Sequence, residues 1–321
     1  MQTREEDVVD TIFATRTLHH ILFFSDKGKV YHVRAYEVSE ADRAARGVPL
    51  VNLINLAENE QITAALAVRE FTPNSFCTMC TVNGRMKRVN MTEFEAVRPS
   101  GIIAISLEQG DRLGWVHATN GSQDVIIVSA HGRALRFRES KARSMGRAAG
   151  GVGAIRLRED DCVASMDVVV PRGELLVVTE KGYGKRTPLE QYPVKGRNTG
   201  GVRSIADRYE ETGPIVAARV VMPEDEITLI TAGGIALRTA VENVRVAGRS
   251  TLGVRVISLD DGDRLASLAR LEANPEENAR AAIEAAANAG VVVESEEEES
   301  EEEIADDEVE DVEEAAAETL E

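Results

Sequence analysis

Aromatic residues are scarce, at 4% of the 321-residue chain with a single tryptophan. That shortage argues against stacking platforms for single-stranded nucleic acid as the main device. Cysteine is nearly as rare: Cys77, Cys80 and Cys162. An odd, sparse set does not make a disulfide scaffold and suits a reducing compartment. Cys77-Thr-Met-Cys80 is a lone CxxC without the second pair that zinc needs, and it reads as part of a buried strand. No apolar run approaches the roughly 20 residues of a membrane-spanning helix. Residues 1–7 (MQTREED) are too polar for a signal peptide, so a cytoplasmic location is the expectation.

Enzyme signatures are missing as well. No GxxxxGK[ST] loop occurs, because Gly182-Tyr183-Gly184-Lys185 lacks the upstream glycine, and neither HExxH nor GxSxG is present. His19, His20, His32, His117 and His131 are scattered over hairpin strands and turns with no partner constellation. No catalytic residue, metal, cofactor or small-molecule substrate is expected.

Positive charge is absent from the end of the chain. Residues 291–321 hold 17 acidic side chains and no lysine or arginine. The formal net charge of −18 therefore describes the tail, whereas residues 1–270 carry 36 basic and 34 acidic residues. Such asymmetry points to a body with a basic face and a tail able to compete for it.

What the chain does have is repetition. Five segments share an apolar run, a glycine and a basic residue soon after: ILFFSDKGKVYHVR, CTMCTVNGRMKR, VIIVSAHGRALR, LLVVTEKGYGKR and ITLITAGGIALR, with glycines at 28, 84, 132, 182 and 234. A second glycine succeeds each, at 47, 101, 151, 201 and 253, and Val48, Ile102, Val152, Val202 and Val254 come directly after it. A period of about fifty residues marks a radial or stacked array. The first glycine sits in a hairpin turn such as Asp-Lys-Gly or Glu-Lys-Gly, where positive φ is needed. A polar connector leads to the second glycine. A strand (as at 152–157), an acidic turn and an apolar strand (as at 162–170 and 264–268) close the repeat. Four strands per repeat is the content of a propeller blade, so the fold class is all-β, a propeller-like ring of about five to six four-stranded blades. Residues 4–14 match only the last piece of a repeat, so residues 1–15 read as the remnant of a truncated first blade. Residues 16–270 hold five full repeats. Residues 271–290, with Pro275 and many alanines, read as a short helical linker, and residues 291–321 as a disordered acidic tail.

The basic residues keep step with the repeat. The hairpins carry Arg85, Lys87 and Arg88; Arg133, Arg136 and Arg138; Lys181, Lys185 and Arg186; and Arg238. The connectors carry Arg43 and Arg46; Arg98; Lys141, Arg143 and Arg147; Lys195, Arg197 and Arg203; and Arg245 and Arg249. Equivalent positions of successive blades share one rim, so these charges are expected to form a band, the shape that meets the phosphates of a bent polyanion. Connector glycines such as Gly146, Gly196, Gly200 and Gly248 let backbone N–H groups approach phosphate.

These stretches, above all GRALRFRESKARSMGRAAGGVGAIRL, GYGKRTPLEQYPVKGRNTGGV and VRVAGRSTLGVRVISL, resemble the C-terminal DNA-wrapping domain of DNA gyrase A across residues 3–270. The resemblance implies a β-pinwheel, in which neighbouring blades exchange a strand and duplex DNA bends around a basic perimeter. The implied partners are duplex DNA and, in a holoenzyme, the remainder of gyrase A together with gyrase B. The implied role is non-catalytic: the cleavage domain and the ATPase lie elsewhere in the assembly. The family's Q-[RK]-R-G-G-[RK]-G box is not in this sequence. Residues 3–7 (TREED) look like the segment immediately downstream of that box in the family, so the expectation is that the box lies upstream of Met1 or has been lost. Two rival readings stay open. One is the equivalent C-terminal domain of topoisomerase IV. The other is a propeller scaffold for proteins with no role on DNA.

Overall fold

The computed structural model describes residues 15–40, 47–271 and 273. All fall in one unit, Met1–Asn274. The expectations for residues 1–14, for the linker and for the acidic tail lie outside the described residues.

The first repeat forms β1 (His20–Ser25), β2 (Lys29–Arg34) and β3 (Ile62–Val68). The second forms β4 (Phe76–Thr81), β5 (Arg85–Asn90), β6 (Ile102–Ile103) and β7 (Leu113–Thr119). The third gives β8 (Asp124–Ser129), β9 (Arg133–Arg138), β10 (Val152–Gly153) and β11 (Val163–Val168). The fourth gives β12 (Glu174–Thr179), β13 (Tyr183–Pro188), β14 (Val202–Arg203) and β15 (Ile215–Val221). The fifth gives β16 (Glu226–Thr231), β17 (Ala236–Ala240), β18 (Val254–Arg255) and β19 (Leu265–Leu271).

These strands build five antiparallel sheets, and no sheet is made by one repeat alone except the last. The orders are β3-β1-β2-β6, β10-β5-β4-β7, β11-β8-β9-β14, β15-β12-β13-β18 and β17-β16-β19. Each two-residue strand leaves its own repeat and pairs with the outer hairpin strand of the repeat before it: β6 with β2, β10 with β5, β14 with β9, β18 with β13. The inner strands β3, β7, β11, β15 and β19 touch in that sequence, which arranges the sheets as blades of a propeller-like ring. The all-β ring read from the sequence is the fold found, with one difference: among the described residues the fifth sheet has three strands, none of them outside β17.

The strand expected over residues 152–157 is shorter than the sequence implied. Its ladder ends at Gly153, where Ala154 N–H turns to the Gly84 carbonyl at 2.8 Å and Ile155 folds inward, 4% exposed. The apolar side chain that extended the hydrophobic run serves as a plug over the hairpin turn, not as a strand residue.

Central strands are apolar on both faces because each faces a neighbour on both sides. In β8, Val125 and Ile127 join the core shared with the second sheet, while Ile126 and Val128 join the core shared with the fourth. Two further cores join sheets one to two (Leu22, Phe24, Met79, Phe94) and four to five (Leu176, Val178, Leu229, Ile257). Burying each of these side chains contributes about 1.5–3 kcal/mol relative to exposure. The far face of the first sheet is covered differently. Ile21, Tyr31 and Val33 pack under Leu50, Leu53, Ile54 and Leu56 of the same repeat's connector. Cys77 and Cys80 are buried in β4, where desolvation pushes both thiols above their ordinary pKa.

The hairpin glycines all adopt positive φ, from 74° at Gly28 to 86° at Gly234. The second glycines of repeats two to five do so too, for a tighter reason. A Cβ on Gly151 would stand 2.5 Å from the Met86 carbonyl oxygen at φ +79°, whereas one on Gly196 would meet nothing within 4 Å. Gly151→Ala is expected to cost about 1–3 kcal/mol and Gly196→Ala close to nothing. Chemical denaturation of the two variants side by side checks the difference.

Candidate nucleic-acid interface

The connectors form the outer edge of each blade. After its hairpin, a connector runs beside the outer strand of the preceding repeat, in parallel bridges Arg88↔Ser144, Arg136↔Val194 and Arg186↔Val246. It then makes a Gly-Arg turn (146–147, 196–197, 248–249) and enters the preceding sheet as its fourth strand. Successive connectors are tied to one another. Ser106 N–H donates to Ala149 O, Arg156 N–H to Thr199 O and Ala206 N–H to Thr251 O. The Arg197 guanidinium donates to Lys141 O at 3.0 Å and Gly153 O at 2.9 Å, and Arg249 Nη1 donates to Arg203 O at 3.1 Å. Arg147 lies 3.5 Å from Glu93 of the connector before it.

Beneath two of these turns sits a lysine that the sequence pattern assigns to the DNA side. Lys87 and Lys185 are instead fully buried. Lys87 Nζ donates to Ala104 O, Arg147 O and Ala149 O; Lys185 Nζ donates to Gly248 O, Arg249 O, Thr251 O and Thr251 Oγ1. Desolvation lowers both ammonium groups to about 8. They pin the turn from inside and face no solvent. The same position holds Tyr31, whose hydroxyl donates to Glu60 at 2.8 Å, and Leu135.

The next residue along each hairpin is also engaged inside the protein. Arg88 stacks over Phe76, donates to Gly121 O at 2.9 Å and lies 3.7 Å from the buried Glu139. Arg136 pairs with Asp124 at 2.9 Å and donates to Leu189 O. Arg186 pairs with Glu174 at 2.7 Å and donates to Val244 O and Glu242 O. Arg238 pairs with Glu226. The last three arginines close their hairpins onto the acidic residue that starts the central strand. Arg138 shares Asp124 at 3.1 Å. Arg85 is held by Glu108 at 2.8 Å and by the carbonyls of Gly150 and Gly151. Lys181 donates to Glu210 O, and Arg203 pairs with Asp207 at 3.2 Å.

A different subset is free. Arg98, Lys141, Arg143, Lys195 and Arg245 are exposed, and with the half-buried Arg133 their side chains make no hydrogen bond or ion pair among the described residues. All but Arg133 lie on connectors. Arg98 flanks the first sheet's edge, Lys141 and Arg143 the second's, Lys195 the third's and Arg245 the fourth's. Arg43 and Arg46 lie outside the described residues.

The match to known proteins tracks the same repeats. The family model described as DNA gyrase C-terminal domain, beta-propeller, covers residues 19–69, 78–120, 123–169, 173–222 and 225–272. The chain belongs to the DNA gyrase C-terminal domain family. The A subunit of DNA gyrase from Salmonella typhimurium is 43% identical over 270 residues, covering 84% of this chain and 30% of that protein. Its counterpart from Mycolicibacterium smegmatis is 38% identical over 270 residues, covering 83% and 32%. The chain thus spans about a third of the length of these curated relatives. Among solved structures, a DNA gyrase A C-terminal domain superposes with a TM-score of 0.70 at 28% identity, covering 80% of this chain and 83% of that one. The C-terminal domain of DNA topoisomerase IV superposes at 0.75 and 26%, covering 83% of each.

In this gyrase-family ring, sequence reasoning missed Arg156 and Arg158, which are exposed just beyond β10, where Arg156 meets the next connector. Arg156 has no basic counterpart in another repeat and Arg158 has only Arg208, so periodicity carried little signal. Three of the five histidines are engaged with neighbouring groups of the protein. His20 Nδ1 and His32 Nε2 lie 2.8 Å apart, and the His117 imidazole donates to Met166 O at 2.9 Å, with burial holding its pKa down. Among the described residues, no helix is long and apolar enough to cross a membrane.

Proposed function

We propose that this ring binds and bends duplex DNA without sequence specificity, along the connectors, as a non-catalytic accessory domain of DNA gyrase in support of negative supercoiling. The observation that carries the reading is the recurrence of unengaged cations on successive sheet edges: Arg98, Arg143, Lys195 and Arg245. Structural roles account for the buried and paired arginines, but none holds these four. Charges repeated along an edge meet successive phosphates only if the duplex tracks that edge, and bending a duplex costs less at flexible steps than at stiff ones. Sequence preference therefore enters through deformability. Duplex DNA is the direct partner. The rest of gyrase A, together with gyrase B, supplies the partners in a holoenzyme, in the bacterial cytoplasm at the nucleoid.

Each neutralised phosphate releases counterions, so affinity falls steeply with salt. Titration of a fluorescent duplex is expected to show at least about a hundredfold loss between roughly 50 and 200 mM salt. Equal affinity across that range would exclude phosphate as the ligand and favour the protein-scaffold reading. The topoisomerase IV reading draws on the structural superposition and predicts the same salt response, with weaker supercoiling when the domain is grafted onto a gyrase core.

The acidic residues 291–321 enter this scheme as a competitor for the same cations. Deleting them is expected to raise DNA affinity at low salt with no change in melting temperature. Equal affinity with and without them would leave the tail no inhibitory role.

A further inference from the structure

The second and third repeats fix their acidic turns onto their own hairpins in the same way. In the second, Asn83 N–H donates to Asp111 Oδ1 at 3.0 Å and Val82 N–H to Arg112 O at 2.9 Å, while Asp111 N–H closes the turn on Glu108 O. In the third, His131 N–H donates to Asp161 Oδ1 at 3.0 Å and Ala130 N–H to Cys162 O at 2.8 Å, while Asp161 N–H closes the turn on Arg158 O. The two hairpins therefore hold the two turns in the same place. Arg133 stands where Arg85 stands, each opposite the second residue of an incoming two-residue strand. Arg158 stands where Glu108 stands.

What differs is the charge. Arg85 is satisfied by Glu108 at 2.8 Å and by the carbonyls of Gly150 and Gly151 at 3.1 and 2.9 Å. Arg133 has none of these contacts: its counterpart in the turn is another arginine, and it makes no hydrogen bond to the equivalent carbonyls of Gly200 and Gly201. A third guanidinium arrives across the ladder, because Arg133 is the direct partner of Arg203. Side chains paired in this way stand about 4.5–5.5 Å apart at Cβ, and like charges there repel. Other repeats avoid the conflict. Lys29 lies 3.8 Å from Glu60. Arg208, the fourth repeat's counterpart of Arg158, pairs with Glu211 at 3.3 Å, and its hairpin carries Tyr183 in place of a cation. In the third repeat, Asp207 pairs with Arg203 at 3.2 Å, but no carboxylate among the described residues pairs with Arg133 or Arg158.

We propose that Arg133, Arg158 and Arg203 form a binding site for a phosphate group at the hairpin end of the third sheet. An oxyanion set among guanidinium groups turns their mutual repulsion into charge-assisted hydrogen bonds, and the planar fork of arginine matches phosphate oxygens two at a time. Two unpaired positive charges balance a dianion, which is a free or terminal phosphate, or two successive diesters of a nucleic-acid backbone. A single carboxylate would leave one charge unbalanced. The backbone fixes the three positions in advance: Arg133 and Arg203 by the ladder, Arg158 by the Asp161 turn. The site is separate from the connector cations. Arg133 directly follows the hairpin turn, whereas Lys195 flanks the same sheet along its connector. Duplex backbone and free phosphate are the two sources of the ligand, and the site itself does not rest on the duplex reading.

The test titrates inorganic pyrophosphate into the full chain by calorimetry, with chloride holding the ionic strength constant. The parent is expected to bind and to melt at a higher temperature in pyrophosphate than in chloride. Arg158→Glu gives the third repeat the ion pair that the second already has. It is expected to weaken pyrophosphate binding about tenfold or more, with melting in chloride at or above that of the parent. Arg133→Gln, which adds no carboxylate, is expected to weaken binding in the same direction. No binding by the parent, or equal binding by the parent and both variants, would overturn the assignment. A fluorescent duplex then identifies the source. If backbone phosphates occupy the site, pyrophosphate displaces the duplex at constant ionic strength, and Arg158→Glu lowers duplex affinity about fivefold or more. If free phosphate is the ligand, pyrophosphate binds beside the duplex, and duplex affinity stays within about twofold. Pyrophosphate binding is read without DNA, so its failure is distinct from failure of the connector edge.

Discussion

Reversing three connector charges together, Arg143→Glu, Lys195→Glu and Arg245→Glu, is expected to lower affinity for duplex DNA by about two to three orders of magnitude at low salt and to flatten the salt dependence. The size comes from number and sign: three phosphate contacts are lost and three repulsions replace them. The variant is expected to fold normally, because these side chains hold nothing in the ring. Arg136→Glu and Arg186→Glu make the contrasting pair. Each would set a carboxylate against Asp124 or Glu174 and abandon carbonyl acceptors, so the expected loss is stability, about 3–5 kcal/mol each, visible in urea unfolding without DNA. If the triple variant bound duplex within threefold of the parent, the connector edge would not be the binding surface.

The second large effect belongs to the buried lysines. Lys87→Met with Lys185→Met removes the common donor to the carbonyls of two Gly-Arg turns: Ala104 O, Arg147 O and Arg249 O lose their lysine, whereas Ala149 O, Gly248 O and Thr251 O keep a backbone donor from Ser106, Thr251 and Ala206. Abandoned buried acceptors cost about 1–3 kcal/mol each, partly offset because an ammonium no longer has to be desolvated, so about 2–4 kcal/mol per site is the expected net loss. The lysines also give the parent a pH signature. Their folded pKa of about 8 lies below the ordinary lysine value of 10.5. Between those values the unfolded chain holds protons that the folded chain has released, so stability rises as pH climbs from about 8 toward 10.5. The groups facing Lys87 are Cys77, Arg147 and Glu93, and that facing Lys185 is Arg249. Unfolding free energies at pH 7.5 and 9.5 are expected to differ more in the parent than in the double variant. A pH response shared by both proteins would place the titrating group elsewhere.

The architecture was legible because two signals coincided. Hairpin glycines fixed the turns, and apolar runs such as LLVVT marked strands buried on both faces. The second glycine was legible as a repeat feature but not as a donor strand: its reason is a carbonyl belonging to another repeat, and no local pattern encodes that neighbour. The same limit explains the site. Arg88, Arg136 and Arg186 share a register with one another, and periodicity cannot tell a cation kept for a ligand from one kept for Glu139, Asp124 or Glu174. Lys87 and Lys185 are the sharpest case. Lysine in a strand reads as solvent-facing, yet three backbone oxygens converging from neighbouring segments make an interior site that only the fold assembles. Arg98, Arg143, Lys195 and Arg245 were found by sequence because they lie on segments too polar to be core, where exposure is the default.

The borrowed fourth strand has a consequence for synthesis. Lys29 and Val30 leave the ribosome long before Ile102 and Ile103, their ladder partners, so each blade that borrows a strand emerges with one margin bare and is finished only when the next one arrives. Nascent chains stalled after Asn90 are therefore expected to be protease-sensitive at β2, and those stalled beyond Leu113 to be protected there, making assembly a relay that advances from the amino end one module at a time.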